Sequence, residues 1–351
     1  MTTFHHVLRR RFVFRSLAAW LAAGSMATAA MPVALAQEGS GAAAAPRTPT
    51  GKVPAAVSVL SIVEHPSLDA LRDGLHDELK DAGYQDGKSL HWAYQSAQGN
   101  QGTAVQIARK FVGDRPDVIV PIATPAAQAV VSATHQIPVV YNAITDPIAA
   151  QIVKSMAPSG TNVTGVSDKL VADRQVAFIK RVVPDVKRVG IIYSPAEANS
   201  VSATREMKVA LEKQGISLVE VAAPRSIDVG QAAQRLVGKV DVIYTSNDNN
   251  VISAYESVIK VANAAKIPLI CADRSSVQRG ATGAMAIDYY RMGRQTGRMV
   301  LRILNGEKPG DIASETSDRL DITLNLDAAR RQGATLSPEL QAEASEIFGK
   351  P

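Results

Sequence analysis

The chain has 351 residues, of which 46% are hydrophobic and 20% are charged, and its formal net charge is +5 at pH 7. This length corresponds to about two domains. The single cysteine, Cys271, excludes an intramolecular disulfide, and its apolar strand context predicts a buried thiol. Four of the 38 basic residues and none of the 33 acidic ones lie in the first 36 positions, so the rest of the chain is close to neutral. Nucleic-acid binding therefore has no electrostatic support.

The N-terminus has the pattern of a secretory signal peptide. Three arginines at positions 9–11 precede an apolar run over residues 17–35, and Ala34-Leu35-Ala36 fits a small-residue cleavage pattern. We predict a signal peptide over residues 1–36 and a flexible leader over residues 37–53. The run is short for a bilayer span and is interrupted by glycine, serine and proline, which disfavours a membrane anchor. No cysteine follows it to carry a lipid, so we expect a periplasmic protein that is not a lipoprotein.

Beyond the leader, one arrangement of strand, loop and helix occurs twice, over residues 57–83 and 189–215. Each copy begins with an apolar strand, continues with a helix that has one apolar face, and stops at Gly83 or Gly215. Each is followed by another strand, a helix and a strand opened by proline, over residues 117–140 and 241–270. This α/β alternation predicts two similar lobes, each a doubly wound parallel sheet, with a ligand cleft between them.

In doubly wound sheets, ligands bind beyond the carboxyl ends of the strands, where loops lead into helix N-termini. In the first lobe these loops contain Glu64, His65, Thr124, Pro125, Ala126, Thr145 and Asp146. In the second lobe they contain Glu197, Asn199, Ser200, Asn247, Asp248, Asn249 and Asp273. Helix capping alone explains any one of them, and their convergence on one cleft favours a site for a zwitterion. We expect Thr124 to be the N-cap of its helix, and Ser246 or Asn247 to precede a helix over residues 251–264.

Ordered segments spread along the chain carry a family resemblance. They lie at residues 63–66, 123–129, 145–147, 162–167, 248–249 and 288–295. On these segments the chain resembles the substrate-binding proteins of ABC importers, with a type I periplasmic-binding-protein fold, in a subfamily similar to tryptophan and phenylalanine binders. It departs from the family at residues 195–200, where Pro-Ala-Glu-Ala-Asn-Ser replaces Ser-Glu-Pro-Asn-Ser. The loss of that internal proline makes the loop less rigid.

The resemblance also implies how the chain is threaded. The N-terminal lobe would contain residues 54–166 and 283–315, and the C-terminal lobe residues 167–282 and 316–351. Three crossings, near residues 165–167, 280–283 and 315–320, would form a hinge. A helix over residues 289–305 would return to the first lobe. The implied protein is a monomer that binds a small molecule, has no catalytic residues, cofactor or metal, and works with the membrane subunits of an importer.

An amino acid ligand, with an aromatic one favoured, needs partners for its carboxylate, its ammonium group and its side chain. For the carboxylate we expect the helix N-terminus at residues 124–126 and the hydroxyl of Ser167. For the ammonium group we expect Asp248, then Asp146, with Asp273 and Asp288 as further candidates. For an aromatic side chain, Tyr289 or Tyr290 is placed to stack.

Other classes of function fit the sequence less well. The motifs of serine hydrolases, zinc proteases and phosphate-binding loops are missing, as is the cysteine pair of a two-lobed racemase. A ligand-responsive repressor would need a helix-turn-helix where this chain has a signal peptide. A sensory co-receptor, and a sugar or nucleoside as ligand, remain alternatives.

Overall fold

The computed structural model describes residues 53–317 and 319–350. The predicted signal peptide and nearly all of the predicted leader lie outside the described residues. The strands are β1 (Ala55–Ser61), β2 (Leu90–Ser96), β3 (Val118–Ile122), β4 (Val139–Asn142), β5 (Val163–Ser167), β6 (Arg188–Tyr193), β7 (Ser217–Ala222), β8 (Val242–Thr245), β9 (Leu269–Asp273), β10 (Gly283–Ile287), β11 (Glu315–Thr316), β12 (Asp321–Asn325) and β13 (Glu346–Phe348).

Helices alternate with these strands. They are α1 (Pro66–Asp81), α2 (Gln101–Asp114), α3 (Thr124–Ala133), α4 (Ala172–Val182), α5 (Ala198–Glu212), α6 (Val229–Leu236), α7 (Asn249–Ser253), α8 (Tyr255–Ala265), α9 (Arg274–Arg279), α10 (Tyr289–Leu304), α11 (Leu326–Arg331) and α12 (Pro338–Glu343). Among residues 53–317 and 319–350, no helix combines the length and the hydropathy needed to cross a bilayer.

The strands form two sheets, as the duplicated pattern predicts. The first has the order β11-β5-β4-β3-β1-β2, and all of its strand pairs are parallel. The second has the order β13-β12-β10-β9-β8-β6-β7, and its single antiparallel pair joins β10 to β12. Helices cover both faces of each sheet because the crossovers between parallel strands place them there.

Each lobe has its own hydrophobic core. In the first, Phe111 and Tyr141 are fully buried between helices and sheet. In the second, Phe178 and Tyr255 are buried in separate clusters. Cys271 lies in the Tyr255 cluster, which confirms the predicted buried thiol, and burial raises its pKa well above the usual value.

The chain passes between the lobes three times, and the second crossing differs from the expectation. The family resemblance implied a crossing near residues 280–283, with residues from 283 onward in the first lobe. Instead, β10 pairs with β9 and β12 in the second sheet, so the crossing follows Ile287. The first crossing follows β5 and the third follows β11, whose Thr316 still pairs with Ser167 in the first sheet.

After the second crossing, α10 packs along α1 in the first lobe. Two glycines allow the backbones to approach closely. A Cβ atom on Gly293 would lie 2.0 Å from the carbonyl oxygen of Leu71, and one on Gly74 would lie 2.1 Å from that of Tyr290. These contacts tie α10, which leads out of the cleft, to the first lobe.

Candidate ligand-binding site

The carboxyl ends of the two sheets face one cleft, and the lobes are in direct contact across it. Helices α3 and α5 contact each other, as do α1 and α9. The hydroxyl of Ser67 donates a hydrogen bond to Asp273 at 2.8 Å, and that of Ser202 donates to Asp146 at 3.1 Å. Gln101 donates to the carbonyl oxygen of Ala196 at 3.1 Å. The cleft is therefore closed.

Glu197 lies immediately before α5 on the second-lobe side of the cleft, and it is 5% exposed. Its Oε2 accepts hydrogen bonds from Asn249 Nδ2 at 2.6 Å and from Asn199 Nδ2 at 3.2 Å. Its Oε1 has no donor among the described residues. Burial, reinforced by the nearby charge of Asp248, raises the pKa of Glu197 to about 7.

Asp248 has a structural role in its own lobe. It caps α7 by accepting from the Val251 N–H at 2.9 Å, and it also accepts from the Ser194 N–H at 2.6 Å and the Ser200 hydroxyl at 2.5 Å. Its carboxylate is buried, and burial raises its pKa. These three donors occupy the oxygens that were expected to bind an ammonium group.

The helix that follows also differs from the expectation. Asp248, and neither Ser246 nor Asn247, is the N-cap, and the expected continuous helix is divided at Ala254 into α7 and α8. The side-chain oxygens of Ser246 and Asn247 are instead buried without a hydrogen-bond partner in the described part of the chain.

A second buried carboxylate, Asp168, is not among the site residues predicted from the sequence. It is 2% exposed and accepts three hydrogen bonds, from Thr145 Oγ1 at 2.9 Å, Asn247 Nδ2 at 2.9 Å and Tyr289 Oη at 2.7 Å. Burial raises its pKa. Its position directly after Ser167, at the carboxyl end of β5, is a signal that was available in the sequence.

On the first-lobe side, α3 points its N-terminus at the cleft. Ala123, with φ 72°, is its N-cap in place of the expected Thr124, and no side chain caps the helix. Thr124, Pro125 and Ala126 are buried, and Thr124 Oγ1 has no hydrogen-bond partner in the described ranges. The first turn of α3 therefore presents N–H groups and one hydroxyl as donors.

His65 also lies on this side, at the start of α1, and it is 6% exposed. Burial lowers its pKa to about 4, although the charge of Asp273 opposes this shift, so the ring is neutral near pH 7. Asp273 caps α9 through the Ser276 N–H and also accepts from the hydroxyls of Ser67 and Ser275.

Several expected site residues have other partners. Glu64 is exposed and accepts hydrogen bonds from Tyr94 and Gln98. Asp288 caps α10 and lies 3.4 Å from Arg291.

Two further expectations change in the same way. Tyr290 is 41% exposed and donates to Asp77 on the surface, so it does not line the cleft. The hydroxyl of Ser167, expected to bind a carboxylate, lies 3.4 Å from the carbonyl oxygen of Thr145 and accepts from the Lys169 N–H.

The charge in the cleft is unbalanced. Its four buried carboxylates belong to Asp168, Glu197, Asp248 and Asp273. None of the four forms an ion pair with a lysine or arginine of residues 53–317 and 319–350. Asp146, at the rim, does pair with Lys169 at 3.6 Å. The buried part of the cleft is therefore acidic, and a cationic group would be stabilised there.

Two α/β lobes that close on a polar cleft define a two-lobed ligand-binding protein. Residues 56–348 match the family described as ABC transporter substrate binding protein, and the chain belongs to that family. It is thus a binding protein and not an enzyme, it works with an ABC transporter, and it has the type I periplasmic-binding-protein fold.

The chain is similar to proteins whose names or titles report an aromatic amino acid. A tyrosine-binding protein of Clostridioides difficile (strain R20291) is 39% identical over 274 residues, which are 78% of this chain and 79% of that protein. A structure titled as an ABC domain in complex with L-Trp from Streptococcus pneumonia is 34% identical. The match has a TM-score of 0.81 and covers 84% of this chain and 99% of that one.

A third comparison concerns lobe closure. A structure titled as the ligand-free, open form of a substrate-binding protein with adhesive properties from Clostridium difficile is 37% identical, with a TM-score of 0.65, and the match covers 84% of this chain and all of that one. The TM-score to this ligand-free, open structure is lower than the 0.81 to the complex with L-Trp, although the two sequence identities are similar. This agrees with the direct contacts between the lobes.

Proposed function

We propose that this chain captures an L-amino acid with an aromatic side chain in the interlobe cleft and delivers it to an ABC importer. One observation carries the proposal: unpaired acceptors lie on the second-lobe side and unpaired donors on the first-lobe side. A zwitterion bound between them satisfies both sets, and contacts to both lobes favour the closed form.

The ammonium group of the ligand would bind the second lobe. Three oxygens there have no donor in the part of the chain that the structure describes: Glu197 Oε1, Asn199 Oδ1 and Asn247 Oδ1. An ammonium group has three N–H bonds and a positive charge, so it matches both the number of acceptors and the acidic surroundings. Glu197 replaces Asp248 as the leading partner in this proposal.

The carboxylate of the ligand would bind the first turn of α3. The positive end of the helix dipole, the backbone N–H groups of residues 124 and 126, and Thr124 Oγ1 are donors suited to an anion. The aromatic preference is supported by the tyrosine-binding relative and the neighbour bound to L-Trp.

The cellular setting is part of the same proposal. An N-terminal signal peptide ending at Ala36 would direct the chain to the periplasm, where it would bind its ligand as a monomer and dock on the importer's membrane subunits. Size-exclusion chromatography with light scattering, and N-terminal sequencing of exported protein, test these two points.

We expect L-tyrosine, L-tryptophan or L-phenylalanine to stabilise the chain from Gln37 onward after unfolding and refolding have removed any bound ligand. Ligand at a thousandfold its Kd adds about 4 kcal/mol to the free energy of unfolding, which raises Tm by several degrees. Thermal shift measures the effect, and the D-enantiomer and the decarboxylated amine are matched controls. A shift with a sugar or nucleoside, or none with any amino acid, contradicts the proposal.

Affinity should depend on pH because Glu197 has a pKa of about 7 without ligand. A bound ammonium group favours the carboxylate, so the pKa falls in the complex. Binding is then strongest above about pH 7 and weakens as pH falls through 7, by up to about tenfold per pH unit. Calorimetry between pH 5.5 and 8 checks this, and an affinity that is constant over that range would exclude Glu197 as the ammonium partner.

A further inference from the structure

Asp168 accepts hydrogen bonds from the first lobe, from the second lobe and from the segment that follows the second crossing. Thr145 follows β4 in the first lobe, Asn247 follows β8 in the second, and Tyr289 begins α10. We propose that Asp168 is a positioning residue that fixes the amide of Asn247 with its oxygen toward the ligand, and so makes the cleft select an ammonium group over a hydroxyl group. This inference rests on the proposed function.

The orientation of the Asn247 amide follows from its partner. An ionised carboxylate only accepts hydrogen bonds, so Asn247 must turn its Nδ2 toward Asp168, and these atoms are 2.9 Å apart. The amide oxygen then points away from Asp168. This oxygen is buried and has no donor within residues 53–317 and 319–350. The cleft therefore receives an acceptor from Asn247 and not a donor.

Asp168 is held independently of any ligand. Thr145 donates to its Oδ1 at 2.9 Å, and Tyr289 donates to its Oδ2 at 2.7 Å. Because two hydroxyls hold this buried carboxylate in place, it can in turn fix the orientation of the Asn247 amide. Turning the amide of Asn247 would place its oxygen against this carboxylate, so the wild-type cleft cannot convert the acceptor into a donor at low energetic cost.

The consequence is a chemical selectivity. A 2-hydroxy acid has the carboxylate and side chain of the amino acid, but a neutral hydroxyl group replaces the ammonium group. In the wild type this hydroxyl meets three acceptors with a single O–H bond, which leaves buried acceptors unpaired. In Asp168→Asn, the introduced amide can donate to the Asn247 oxygen, so that Asn247 turns its N–H groups into the cleft and accepts the hydroxy acid better.

The test compares Kd values for L-tyrosine, L-tryptophan and L-phenylalanine with those of the corresponding 2-hydroxy acids by calorimetry. We expect the wild type to prefer the amino acid by about 100-fold or more. Asp168→Asn should reduce that preference at least about tenfold, mainly by weakening amino acid binding. Asp185→Asn changes an exposed aspartate just beyond α4 and should leave the preference unaltered.

Tyr289→Phe provides a second variant, because it removes one donor and keeps the carboxylate. Tyr289→Phe should also reduce the preference for the amino acid over the 2-hydroxy acid, by a smaller factor than Asp168→Asn. If Asp168→Asn does not fold, the result for Tyr289→Phe alone tests the inference. An unchanged preference, or an equal loss for both ligands, would show a merely structural role and overturn the inference. If the wild type binds none of these amino acids, the proposed function fails and the inference fails with it.

Discussion

Replacing Glu197 with glutamine is expected to weaken binding of the aromatic amino acid by about 10- to 100-fold. A charge-assisted hydrogen bond to a buried carboxylate contributes about 1.5 to 3 kcal/mol, which corresponds to that range. The amide oxygen can still accept from Asn199 and Asn249, so the local hydrogen bonds persist. The amide nitrogen would take the position of Oε1 and oppose an ammonium group. Calorimetry at pH 7.5 measures the loss, and the pH dependence of binding should disappear with it.

The stability of the same variant separates a binding role from a structural one. Glu197 and Asp248 are buried carboxylates of like charge, and each raises the cost of ionising the other. Removing one charge should leave Tm of the free protein unchanged or raise it. Glu212→Gln, at the exposed end of the same helix, is the matched control and should alter neither property. Affinity retained within about twofold in Glu197→Gln would refute this carboxylate as the ammonium partner.

Replacing Gly293 with alanine is expected to lower the free energy of unfolding by about 3 kcal/mol. The added Cβ atom would lie 2.0 Å from the carbonyl oxygen of Leu71, and backbone cannot rotate away as a side chain can. Helices α1 and α10 must separate along their contact, which exposes part of the first core. Urea unfolding measures the change, and ligand affinity should fall as well because α10 carries Tyr289 at its first position.

Gly113→Ala is the matched control for that substitution. Gly113 lies near the end of α2, is exposed, and has no heavy atom within 4 Å of an added Cβ atom. Alanine favours helix over glycine by up to about 1 kcal/mol, so this variant should be equally or more stable. If both variants unfold alike, then the close approach of α1 and α10 is not a determinant of stability.

The spacing of apolar residues along the sequence was sufficient to predict much of the architecture. The apolar strand and the apolar helix face of each repeat are recognised from residues a few positions apart. The structure has both elements in both copies, as β1 with α1 and as β6 with α5. The rule that ligands bind beyond strand ends selected loops that do meet at the cleft, including those of His65, Glu197 and Asn247. The second crossing was misplaced because β10 stays in the second sheet by pairing with β12, which is distant in sequence.

The roles of individual aspartates could not be predicted in the same way. Asp168, Asp248 and Asp273 each end or follow a strand, so the sequence pattern does not distinguish them. Two of them cap the short helices that follow, whereas Asp168 precedes a crossing and binds side chains from three distant segments. Which donors surround a carboxylate depends on the packing of the whole cleft.

Strand and helix periodicity are local properties of the chain, so the amino-acid sequence predicts the two-lobed fold, and its ordered segments carry the resemblance to the family. Which oxygens in the cleft remain without a hydrogen-bond donor depends on the folded arrangement of both lobes. Hydrogen-bond partners such as Thr145, Asn247 and Tyr289 come together from separate lobes only when the chain has folded and the cleft has closed. Burial then sets the protonation of Glu197 and His65, since the cost of removing a charge from water depends on everything that surrounds it.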